Sequence, residues 1–342
     1  MYRFLRIVPL VALAGALAAC SGNSGSSSTL PTGPSIAGSA SDLAPANNAL
    51  TAPRGPLDMA INGRVVHVMP KQGSTVTRPS NFAGGTNLKY HSGGTVQCDP
   101  HIYIVYWDWA SSTDPNNEKP VLEGFLNGVL GSNWISSQTI YYQQHVCFVG
   151  NTARAISGIW ADDTNAIPNL NTMSDSAGGA AVGAEAARAA THFGISSSDT
   201  NVNIFVATPH GNSTSGFAAN GGGYCAYHEF TTPAWTNMPY MSDAGFSCGS
   251  GNVNSPGTND GVSIVGGHEQ AETETDPLGD AWYDLSGNET GDKCAWGRSS
   301  PSGRGVPDAN QTFSTGSFPT QALWSNSTQG PPPNNYKGFC LQ

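Results

Sequence analysis

Residues 266–294 gather the side chains best suited to chemistry. They read Gly-Gly-His268-Glu269-Gln-Ala-Glu272-Thr-Glu274-Thr-Asp276-Pro-Leu-Gly-Asp280-Ala-Trp-Tyr-Asp284, and then, after Leu-Ser, Gly-Asn-Glu289-Thr-Gly-Asp292-Lys-Cys294. Eight carboxylates fall between 268 and 292, a third of the 24 acids in the chain, with no Lys or Arg among them. Like charges at that density repel or shift one another's pKa, and a bound cation is the usual remedy.

The segment opens as H-E-x-x-E. On a helix, positions i and i+4 share a face, so His268 and Glu272 can grip one metal ion. They would do so as the two histidines of H-E-x-x-H do, with a carboxylate oxygen in place of the second imidazole. Glu269 then stands where a zinc peptidase keeps its general base. A third ligand must come from elsewhere. Asp276 precedes Pro277, which should end the helix and turn Asp276 back toward the site. His228 and His210 are the other candidates for that place. Two further readings compete: a solvated acidic helix, and a calcium site made by Asp276, Asp280, Asp284, Glu289 and Asp292.

Other catalytic signatures are weak. The chain has no Walker loop, no G-x-G-x-x-G after a strand and no G-x-S-x-G elbow.

The elements that must carry the motif alternate. His101–Trp109 and Asn201–Thr208 are apolar, β-branched runs of buried-strand type, and Ser137–Phe148 alternates like a strand. Helical spacing is expected over Pro120–Leu130, Ala177–Phe193 and Gly261–Thr275. The tail from Trp296 is rich in Gly, Ser and Pro, with short apolar pieces. This pattern predicts a single α/β domain from about residue 61 to 342: a mixed sheet flanked by helices, loop-rich, and zincin-like around the H-E-x-x-E helix.

Composition narrows the class. The 342 residues carry a net charge of −10, only 11% charged residues, 42 Gly and 23 Pro. That excludes a coiled coil and a polybasic nucleic-acid binder, and no nucleic-acid partner is expected. Arg3 and Arg6 precede a thirteen-residue apolar run, Ile7–Ala19, that ends in Leu-Ala-Ala-Cys20. This is the pattern of a bacterial lipoprotein signal, cleaved before Cys20, whose thiol takes the lipid. Residues 1–19 are then the signal peptide and 20–60 a Ser/Gly/Pro-rich tether. The expected location is the cell envelope, anchored to the bacterial membrane through Cys20. It would be the outer membrane in a Gram-negative cell, because Ser21 rather than Asp follows. Six cysteines remain, an even number in an exported protein, which argues for three disulfides with fifteen connectivities open. Pairing sequence neighbours gives Cys98–Cys147, Cys225–Cys248 and Cys294–Cys340.

Several of these motifs together resemble the plant phosphate-induced, Exordium-like family and its bacterial relatives. The residues that carry the resemblance are His268-Glu269-x-x-Glu272-x-x-Thr275-Asp276-Pro277-Leu278-x-x-Ala281-Trp282-Tyr283 and Glu289-x-x-Asp292-x-Cys294. Tyr90-His91-x-Gly93-Gly94 and Tyr224-Cys225-x-x-His228 agree with it upstream. The family typically carries Asn at the position of Asp276. The resemblance implies export, a disulfide-bonded α/β fold and no settled activity.

The expectation from residues and resemblance is an exported lipoprotein with a divalent-metal site, zinc rather than calcium, acting as a metal-dependent hydrolase on a peptide. The alternative is a non-catalytic envelope protein that binds glycans.

Overall fold

The computed structural model describes residues 57–61, 64–74, 87–297, 306–329 and 337–342. The signal segment, Cys20 and almost all of the expected tether lie outside them. The described fold begins at Leu57, a few residues inside the span read as tether, and Leu57 and Asp58 are buried.

In chain order the strands are β1 Asp58–Ile61, β2 Arg64–Pro70, β3 Lys89–Tyr90, β4 His101–Trp107, β5 Tyr142–Gln143, β6 Cys147–Phe148, β7 Gly158–Asp162, β8 Val202–Ala207, β9 Tyr224–Glu229 and β10 Ala234–Met238. They continue with β11 Trp282–Tyr283, β12 Ala309–Phe313, β13 Gly316–Thr320, β14 Leu323–Gln329 and β15 Lys337–Leu341. Among the described residues three α-helices intervene: α1 Glu118–Val129, α2 Asp175–Phe193 and α3 Asp260–Thr275.

Seven strands form one sheet in the order β1-β2-β9-β10-β8-β4-β7. The half built on β10, β8, β4 and β7 is parallel, and the half built on β1, β2, β9 and β10 is antiparallel. The expected mixed α/β architecture is therefore present. Every residue of β8 is buried, as a parallel strand covered on both faces must be. Helix α2 packs on β8 and β4, and α3 packs on β9, β10 and β2.

Local chemistry sets the helix ends. Ser174 caps α2 by accepting from the Ala177 N–H, and Gly194 closes it at φ 68°. Helix α3 stops at Asp276, before Pro277, as the proline predicts.

The structure departs from the sequence reading in three places. Ser137–Phe148 is not one strand but a 3₁₀ turn at Ile135–Gln138 followed by the two-residue strands β5 and β6. Its alternation misleads because Val146 and Phe148 point to solvent, 66% and 63% exposed. The tail is not mainly loop: β12–β13 and β14–β15 are antiparallel hairpins, and β13 packs on α3. Helix α3 is not a solvated acidic helix, because all sixteen of its residues are buried.

Three disulfides join Cys98–Cys147, Cys225–Cys248 and Cys294–Cys340, each a pair of sequence neighbours. Cys294 and Cys340 belong to a second small core with Tyr141, Trp282 and Trp324. That core fixes the segment carrying Asp284–Trp296 against the C-terminal hairpin. Among the described residues, no helix is long and apolar enough to cross a membrane.

Candidate metal centre

Strand register creates the floor of the site. His67 on β2 lies directly opposite His228 on β9, and opposite Asp58 on β1. In a β-ladder such partners point the same way, and the two imidazole centroids are 5.6 Å apart. Helix α3 lies above them. The i, i+1, i+4 spacing of His268, Glu269 and Glu272 brings all three down onto the histidine pair. The segment after β11 folds back beneath the helix and delivers Glu289 and Asp292. His67, His228, His268, Glu269, Glu272, Glu289 and Asp292 all have 0% exposure.

Glu272 is the hub. Its Oε1 accepts from the backbone N–H groups of Gly291 (3.1 Å) and Asp292 (3.0 Å), which fixes the carboxylate. Its Oε2 lies 3.1 Å from His268 Nε2, 3.8 Å from His67 Nε2 and 3.9 Å from His228 Nδ1. One buried carboxylate oxygen thus faces three imidazoles.

Outer contacts orient each ring. His67 Nδ1–H donates to Asp58 Oδ1 (2.6 Å), leaving Nε2 toward Asp292 Oδ2 at 2.8 Å. His268 Nδ1 meets Gln321 Oε1 at 3.3 Å, and Gln321 Nε2 is itself held by the Gly291 carbonyl at 2.9 Å. His228 Nδ1–H donates to Glu269 Oε2 (2.9 Å), and its Nε2 lies 3.7 Å from Glu289 Oε2. A carboxylate or amide behind a ligating histidine, fixing its tautomer, is the usual second shell of a metal site.

The electrostatics are those of a crowded anion cluster. Burial alone would lower the His67 pKa, but Asp292, Glu289 and Glu272 together raise it well above 6.5. At His268, burial is likewise outweighed by Glu272, Glu269 and Asp292, and the pKa is pushed up to about 9. Burial raises Glu269, while His67 and His268 overcome burial and hold Asp292 low.

Among the polar atoms of the cluster, His268 Nε2 and Glu272 Oε2 meet each other as an ion pair at 3.1 Å, while Glu269 Oε1 and Asp292 Oδ1 make no hydrogen bond. Such groups are costly when buried without a partner. A cation would satisfy them. Two sets of three residues have ligand atoms within 4.8 Å of one another: His67, Glu272 and Asp292; and His228, Glu272 and Glu289. The donor chemistry therefore fits a divalent metal.

The sequence motif and the geometry overlap only in part. His268, Glu269, Glu272 and His228 come together. Asp276 does not join them. Its Oδ1 accepts from the Ala281 N–H at 2.7 Å, so it caps the turn after the helix. His210 lies on the surface with Asp243. The five-carboxylate calcium set is dispersed: Asp280 accepts from the Thr95 N–H and Asp284 pairs with Lys293 at 3.0 Å. Only Glu289 and Asp292 of that set reach the cluster. His67 and Asp58 were not singled out. The one signal for His67 is a histidine in the middle of an apolar strand, Arg64-Val-Val-His67-Val-Met-Pro70.

Gly291 is required by this packing. A Cβ there would lie 2.6 Å from His268 Nδ1, against a ring with no room to move. Gly291→Ala is expected to cost about 1–3 kcal/mol, as overpacking does, and to lower metal content. Thermal denaturation with metal analysis reads both. Wild-type values for the pair would show that His268 is not held as described.

Fold and site together define a disulfide-bonded α/β domain with a closed histidine–carboxylate cluster of metal-ligand type. The chain is 26% identical to "Protein EXORDIUM-like 5" of Arabidopsis thaliana over 271 residues, 66% of this chain and 69% of that protein. This similarity supports the Exordium-like family. No family model matches the chain, and no solved structure matches it.

Proposed function

We propose that the domain is an exported metalloprotein whose buried cluster holds a divalent cation, zinc before calcium, as a clamp on the fold. The observation that carries this reading is Glu272 Oε2, fully buried and facing three imidazole nitrogens, the nearest at 3.1 Å. Imidazole with carboxylate suits zinc and its neighbours, whereas calcium prefers oxygen alone. Structural metal sites are closed, and every ligand here is shut off from water. An ion at this place would tie β2, β9, α3 and the 289–292 turn together. Three disulfides agree with an oxidising, extracytoplasmic compartment.

Zinc should raise the melting temperature of chelator-treated protein in the presence of excess calcium, and calcium alone should not. Stabilisation by calcium, or by neither ion, would overturn the reading.

One observation favours a second reading, a zinc-dependent peptidase. Glu269 stands beside the ligand Glu272 on α3, with Oε2 held by His228 and Oε1 left unbonded. Held this way, Oε1 is positioned to accept and carry a proton, while His228 keeps the carboxylate oriented. A bound zinc ion would supply Lewis acidity. Substrate access would require the closed cluster to open. In a peptide-library assay this reading expects Glu269→Gln to keep its metal and lose about 10²–10⁴-fold in rate. No cleavage by zinc-loaded wild-type protein removes it and leaves the clamp.

A further inference from the structure

The cluster offers more donors than one zinc ion takes. Three imidazoles and the carboxylates of Glu269, Glu272, Glu289 and Asp292 converge in one buried space. A structural zinc site uses four protein ligands. The two three-residue ligand sets share Glu272 and nothing else.

Their geometry separates them. His67 and His228 stand at different corners, 5.6 Å apart by centroid. Each is backed by its own carboxylate, Asp58 for His67 and Glu269 for His228. Asp292 Oδ2 lies 2.8 Å from His67 Nε2, and Glu289 reaches both rings, its Oε2 3.7 Å from His228 Nε2 and its Oε1 3.8 Å from His67 Nδ1. Glu272 lies between, within 3.9 Å of both rings. Glu272 Oε2 is almost equidistant from the two rings, Asp292 Oδ1 lies 3.8 Å from His268 Nε2, and Glu269 Oε1 belongs to the residue that backs His228.

We propose that this is a two-metal centre with Glu272 as the shared carboxylate. One divalent ion would sit on His67, Glu272 and Asp292, with His268 beside it. The second would sit on His228, Glu272 and Glu289. Paired ions about 3.5–4 Å apart, joined by a common ligand, are a known arrangement in metalloproteins. The inference rests on the metal-binding reading above and adds the number of ions and the division of ligands between them.

The test is native mass spectrometry of the full folded domain titrated with zinc, with cobalt(II) as a second probe. Wild-type protein should take up two ions. His228→Ala should retain one, His67→Ala should retain one, and Glu272→Gln should retain none. His210→Ala, which alters a surface pair with Asp243 and a ring contact with Tyr240 away from the cluster, should leave the count at two. Should the histidine variants fail to fold, the wild-type titration still decides: saturation at two equivalents supports the proposal, and saturation at one overturns it. Uptake of no ion at all would instead overturn the metal-binding reading beneath it. A second equivalent lost in His210→Ala would mark surface binding and count against the paired centre.

Discussion

Glu272→Gln should empty the centre and remove the largest single contribution to stability that the site provides. Glutamine keeps the shape, and its carbonyl oxygen still accepts the Gly291 and Asp292 N–H groups. What disappears is the charge on the oxygen facing three imidazoles. Loss of a supporting contact to a ligand already costs about 10–100-fold in metal affinity, so loss of the hub ligand should cost about 100-fold or more. Zinc present at about 1,000 times its Kd stabilises a fold by about 4 kcal/mol. For a domain of this size that is roughly 8–16 °C in Tm, at about 2–4 °C per kcal/mol. The wild-type Tm should fall by that amount on chelation, and the variant should not respond to chelator.

The sign of the pH dependence follows from the same charges. Without metal, His67 and His268 hold protons above their ordinary pKa, so zinc must displace protons to bind. Affinity should therefore rise with pH across the neutral range, by about tenfold per unit for each proton released, with the His268 contribution ending above about 9. Isothermal titration in buffers of different ionisation enthalpy counts those protons. A pH-independent affinity would contradict the arrangement.

Cys294→Ser should be nearly as damaging, for a connected reason. The bridge to Cys340 spans 46 residues and sits two positions after the ligand Asp292. A loop of that length is worth about 4 kcal/mol in the chain-entropy account, within a usual range of about 2–5 kcal/mol. Cutting it also frees the turn whose Gly291 and Asp292 N–H groups hold Glu272. The variant should show one more titratable thiol than the wild type, Cys340, a Tm lower by roughly 8–16 °C, and weaker zinc binding. Loss of stability with unchanged metal affinity would separate the disulfide from the site.

The helix that carries the chemistry was legible because local rules govern it. The H-E-x-x-E spacing, the stop at Pro277 and the buried strands at 101–107 and 202–207 all rest on short-range periodicity. His67 was not legible because its role depends on register. It meets His228 across a strand pair and Asp292 across 225 residues of chain, and nothing near it announces either contact. Asp276 was misplaced for a different reason. Pro277 does turn the chain where expected, but the turn does not send Asp276 back to the cluster, because the Ala281 N–H within it takes the carboxylate first. A solvated acidic helix stays open as an alternative in the sequence because the cover over the stretch is not visible there. That cover includes α1 and the hairpin strand β13, and the hairpin comes from a tail whose composition reads as loop.

Anomalous diffraction at the zinc edge, on crystals of zinc-loaded wild-type protein and of Glu272→Gln, tests the metal centre most directly. The account predicts strong wild-type density enclosed by His67, Glu272 and Asp292, absent from the variant. Density confined to the surface, or no anomalous signal among these side chains, would contradict it.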